Sequence, residues 1–81
     1  MDVIIKHIEI IERMDQLIRL QATGSPDEFA LRLGISRTKL YRMLKIIKRL
    51  NAPIAYDTPM QSYIYTETVK FSFGFYTQSI S

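Results

Sequence analysis

Between Arg37 and Arg49 the chain reads RTKLYRMLKIIKR, which holds Arg37, Lys39, Arg42, Lys45, Lys48 and Arg49 with no carboxylate among them. At helical spacing, cations this dense line a rod with N–H donors and positive charge. Their chemistry is the binding of a polyanion, not the making or breaking of bonds. A helix of a globular protein needs a polar face, but nothing requires that face to be of one sign. Six of the eleven Lys and Arg residues fall here while the net charge of the whole chain is only +3, so the basicity is a local feature that calls for a local cause.

Other reactive side chains are scattered. There is no cysteine and a single histidine, His7, which excludes disulfides and thiolate zinc sites and leaves metal chemistry little to work with. His7 falls within the apolar arc of the first helix, where a buried or interfacial histidine bonded to backbone is the expected role. Glu9, Glu12, Asp27 and Glu28 are accounted for by a helix surface and a cap, and none has a partner at the spacing of an acid–base pair. Asp15 borders the same arc and reads as a boundary residue. Gly24, Gly34 and Gly74 are isolated, so no phosphate-cradling loop is present. No enzyme and no cofactor is expected.

The elements that must position the cations follow from periodicity. With 81 residues, 47% hydrophobic and 23% charged, the chain has the balance of one globular core. Residues 3–22 place Val3, Ile4, Ile8, Ile10, Ile11, Met14, Leu17 and Ile18 on one side of a helix, in an arc wide enough for two contact surfaces. Gly24 is a stop for that helix. Ser25, Pro26 and Glu28 then spell an N-cap, a first helical position and a capping box for a second helix over 26–33, with Gly34 past its end. Ser36 caps a third, over 36–51, whose inward positions are Leu40, Met43, Leu44, Ile47 and Leu50. After Pro53 the period changes. Residues 53–56 and 62–66 are expected as strands of a hairpin across Asp57, Thr58 and Pro59, and Val69, Phe71, Phe73 and Phe75 alternate as a possible third strand in an apolar tail over 67–81. The fold class is mainly α with a small β-hairpin.

Two short helices joined by LGIS, a helix before them and a hairpin after, resemble a winged helix-turn-helix domain. Ala30 is small where the helices cross, Gly34 sits in the tight turn, and Ile35 plugs the turn into the core. The stretch SPDEFALRLGISRTKLYRMLKIIKRLNAPIAYDTPMQSYIYT is similar to the N-terminal DNA-binding domains of bacterial transcription regulators of the DeoR and WYL-containing type, and of the biotin repressor. That resemblance implies double-stranded DNA as partner, with the third helix in the major groove. Arg37, Thr38, Tyr41 and Arg42, in its N-terminal half, are then expected at base edges, and Ser36, Lys39, Lys45, Lys48 and Arg49 at phosphates. DNA carries a negative charge about every 1.7 Å of axis, so such a face favours cations and disfavours carboxylates.

A rival reading is a winged-helix protein-interaction module without a DNA role, for which the hairpin tip, Asp57 to Gln61, supplies no cation. The first turns of helix one and the alternating tail are two apolar surfaces expected to meet either within one chain or across the two-fold axis of a homodimer, and the homodimer is favoured. Charges interleave the isoleucines of the first sixteen residues, so neither a signal peptide nor a membrane span is expected, and the expected compartment is the cytoplasm. No small-molecule ligand is expected.

Overall fold

The helix ends explain the chain's path. In α2, Pro26–Leu33, the Ser25 hydroxyl accepts the Glu28 N–H at 3.3 Å, and the Glu28 carboxylate accepts the Ser25 N–H at 2.9 Å. The bond from the Ser25 backbone, then that with its side chain, hold the Glu28 carboxyl below the usual carboxylate range. In α3, Arg37–Arg49, the Ser36 hydroxyl accepts the Lys39 N–H at 3.1 Å in the same manner. Before them runs α1, Val3–Arg19, and after them the antiparallel strands β1, Ile54–Asp57, and β2, Ser62–Tyr65. The architecture is mainly helical α+β. This computed structural model describes residues 3–72.

All three helices stop on one device, a left-handed residue flanked by two reversed hydrogen bonds. Gln21 (φ 54°) donates to Ile18 O and Ala22 to Leu17 O; Gly34 (φ 69°) donates to Leu31 O and Ile35 to Ala30 O; Asn51 (φ 73°) donates to Lys48 O and Ala52 to Ile47 O. The first of these corrects the expected end of α1, because the left-handed turn falls at Gln21, ahead of Gly24. Gly24 has a different task. A Cβ there would lie 2.8 Å from the Glu28 Cβ, so glycine makes room for the capping box.

The core gathers Ile11, Met14 and Ile18 from α1, Phe29, Ala30 and Leu33 from α2, Leu40, Met43, Leu44 and Ile47 from α3, and Tyr63 from β2. Ile35 packs against it from the turn. Leu50, expected to face inward, is 55% exposed. Ten residues at about 100° each carry it about 80° off the line of Leu40. In the hairpin, Ile54 pairs with Tyr65 and Asp57 with Ser62, and the Asp57 carboxylate accepts the Met60 N–H at 3.0 Å to shape the tip.

Two buried hydroxyls tie the hairpin to the helices. Thr23 N donates to Ser62 Oγ at 3.2 Å, Tyr63 N donates to Thr23 Oγ1 at 2.8 Å, and the two side-chain oxygens lie 3.1 Å apart. The ring of Tyr63 rests on Phe29, 5.6 Å between centroids. Residues 66–72 contain no strand, and Phe71 packs half-buried against the core of its own chain. Phe73 and Phe75 lie outside the described residues. Among those described, no helix is long and apolar enough to cross a membrane.

Candidate nucleic-acid interface

With Leu40, Met43, Leu44 and Ile47 turned into the core, steps of about 100° per residue place Thr38, Arg42, Lys45 and Arg49 on the opposite line. All four are exposed. From Thr38 to Arg49 the line spans about 16 Å at 1.5 Å per residue. Arg37, Tyr41 and Lys48 occupy the flank toward α2 and the hairpin, and they too are exposed. Tyr41 stands close enough to Tyr63 to add to the upward push that burial gives the Tyr63 hydroxyl, as does Tyr56, whose ring meets Tyr63 edge-on at 5.0 Å.

Three of the expected site residues have further engagements, Arg37 through an ion pair with Asp27. The Ser36 oxygen is used as an acceptor by its own helix, which leaves its O–H to donate to an anion. Lys39 is half-buried on the far flank, lining a groove with Lys6, Glu9, Glu12 and Arg13 of α1, so it departs from the outward line. Lys39 thus stands apart from Lys45, Lys48 and Arg49, with which it was expected at phosphates.

The cations divide by what they hold. Arg13 donates to Arg32 O at 2.7 Å, Arg32 to Ala22 O, and Arg19 to Val69 O at 2.6 Å. Those arginines fasten backbone carbonyls. The side chains of Arg42, Lys45, Lys48 and Arg49 make no hydrogen bond or ion pair with any group among the described residues, where the ion pairs are Asp15–Arg19 and Asp27–Arg37. Four neighbouring positive charges without a counterion repel one another, an arrangement that an external polyanion relieves.

Sequence reasoning missed two carboxylates. Asp27 holds the Arg37 guanidinium at 2.8 Å. Asp15, beyond marking a boundary, accepts the Tyr65 hydroxyl at 2.6 Å and the Arg19 Nε at 3.0 Å, while the Arg19 guanidinium lies over the Tyr65 ring at 5.2 Å. Asp27 with Arg37 and Asp15 with Tyr65 join residues 10 and 50 positions apart, which no local signal marks, whereas Asp15 and Arg19 stand at the i,i+4 spacing of a helical ion pair. A largely apolar cavity of about 270 Å³ lies beside that cluster, between Ile11, Ile47, Leu50 and Phe71 and away from the outward line of α3. No group of three potential metal ligands comes together among the described residues. No family model, curated protein or solved structure matches the chain.

Proposed function

We propose that the chain is a small transcriptional regulator of the winged helix-turn-helix type, binding double-stranded DNA sequence-specifically with α3 in the major groove. The observation that carries this reading is the outward line of α3, where Arg42, Lys45 and Arg49, with Lys48 beside them, stand exposed and unpaired within the described chain. The short α2, the turn Gly34–Ile35–Ser36 and the hairpin beyond supply the frame such a helix needs. Thr38 and Arg42 head the line as base readers, joined by Arg37 and Tyr41 from the flank. Lys45, Lys48 and Arg49 meet phosphates.

Titration of random-sequence duplex at two salt concentrations is the test. Three phosphate contacts give a log–log slope near −2.7, which lowers affinity by roughly 40-fold between about 50 and 200 mM salt. Binding that ignores salt, or its absence, supports the protein-interaction reading, which the hairpin tip favours: Thr58 to Gln61 are exposed and uncharged, and the Asp57 carboxylate is spent on the turn.

Specific DNA binding commonly uses two half-sites about one helical turn apart. Val3, Ile4 and Ile5, exposed at 57%, 73% and 53%, extend α1 past the core with nothing among the described residues covering them. We propose that these turns meet their counterparts in a second copy, giving a homodimer with paired recognition helices.

A further inference from the structure

The positive face of α3 is not uniform along its length. At its C-terminal end Lys45, Lys48 and Arg49 have no carboxylate against them among the described residues. At its first turn Arg37 is paired, Nη1 to Asp27 Oδ1 at 2.8 Å, with side-chain exposures of 60% and 72%. Asp27 is not needed where it stands for the cap of α2, since Ser25 and Glu28 complete that box between them. Its hydrogen-bonding partner is Arg37. The two helix starts are thereby joined across the turn by a neutral pair, placed at the end of the recognition helix that comes nearest to base edges in a major-groove docking.

A free guanidinium at that end would settle on any phosphate within reach and add equally to the affinity for every sequence. A guanidinium with one N–H held by a carboxylate behaves differently. Its net charge is cancelled, the carboxylate repels a phosphate on the same side, and the remaining N–H donors keep a fixed direction suited to a pair of acceptors such as O6 and N7 of guanine. Resting on the DNA-binding reading above, we infer that Asp27 is a specificity-determining residue, which holds Arg37 off the phosphate backbone and aims it at a base edge. Asp27 acts through Arg37 and touches no base itself.

The experiment compares the full chain with its Asp27→Asn and Arg37→Ala variants on two duplexes, a random pool and the best site selected from it, over a range of salt. Asn is nearly isosteric at an exposed position, and the melting midpoint of each variant confirms its fold. Freed from its partner, Arg37 of Asp27→Asn takes a phosphate: binding to the pool tightens, its salt slope steepens by about 0.9, and the ratio of best-site to pool affinity narrows by roughly ten-fold. Arg37→Ala narrows the same ratio while leaving the pool slope unchanged. If the wild type binds with a steep slope but Asp27→Asn matches it in both slope and ratio, Asp27 has no such role and the DNA-binding reading stands. A pool slope flattened by about one in Arg37→Ala also overturns the inference, since Arg37 would then already be a phosphate contact beside Asp27. If the wild type binds neither duplex at any salt, the interface reading falls and takes this one with it.

Discussion

Arg42 and Lys48 lie on the same helix but on different lines, the first directly opposite the core and the second on the flank toward the hairpin. Their substitutions therefore have different consequences. On the proposed DNA-binding reading, Arg42→Ala should relax base preference at a cost of about 1–3 kcal/mol for a bidentate contact, whereas Lys48→Ala should weaken all sequences alike and flatten the salt slope by about one. Competition between selected and random duplexes distinguishes the two, and an equal, uniform loss from both would dissolve the division into base readers and phosphate anchors. Tyr65 makes a separate, pH-dependent contribution. Burial, and after it the hydrogen bond to Asp15, raises its pKa, so the folded chain holds the phenolic proton more tightly than the unfolded one. That stability is complete below the ordinary tyrosine value of about 10 and is lost as pH rises above it. Melting midpoints should thus fall above about pH 10, and Tyr65→Phe should show a shallower fall. Equal slopes in the two proteins would place the alkaline loss elsewhere, with Tyr63 the next residue to examine.

At the scale of the element, the end of α1 invites a change. Gln21 holds φ 54°, a conformation that disfavours every residue with a Cβ. Gln21→Gly should stabilise the fold by about 0.5–1 kcal/mol after the greater freedom of glycine in the unfolded chain is deducted. A higher denaturant midpoint at an unchanged m-value is the expected reading, and a lower midpoint would mean that the Gln21 side chain has contacts worth more than the backbone relief. The same residue shows where sequence reading stops. Both ends of α2 are legible because Ser25, Pro26, Glu28 and Gly34 are residue types with a local mechanical meaning. Gln is a good helix former, and its left-handed turn is selected by how the chain must bring Thr23 into the interior, which no window around it records. Thr23 and Ser62 are 39 positions apart, so their bond follows from tertiary closure alone. In the interface, the cations of α3 were legible as a set. Their split into an outward line, a paired Arg37 and an inward-leaning Lys39 depended on where α1 and α2 lie, and the Asp27 partner was hidden among ordinary exposed charges.

For the whole molecule, the bare first turns of α1 bear on the proposed pairing with a second copy. The described part of the tail covers its own chain at Phe71, so among the described residues the proposed two-fold contact rests on Val3, Ile4 and Ile5, with Ile8 half-buried beside them. Sedimentation of the wild type against an Ile4→Asp, Ile8→Asp variant should show a dimer giving way to a folded monomer, and one shared monomer mass would end the two-fold proposal. The buried hydroxyl pair bears on how the molecule breathes. The amide hydrogens of Thr23 and Tyr63 are held by Ser62 and Thr23 inside the protein, so deuterium can replace them only when β2 parts from the loop between α1 and α2. Parting them also lifts Tyr63 from Phe29 and opens the core. Both amides should accordingly exchange together and as slowly as the interior of α1, while the exposed tip of the hairpin exchanges early. A hairpin that cannot lift without melting the helices reaches any partner already ordered, and its contacts carry no entropic charge for becoming so.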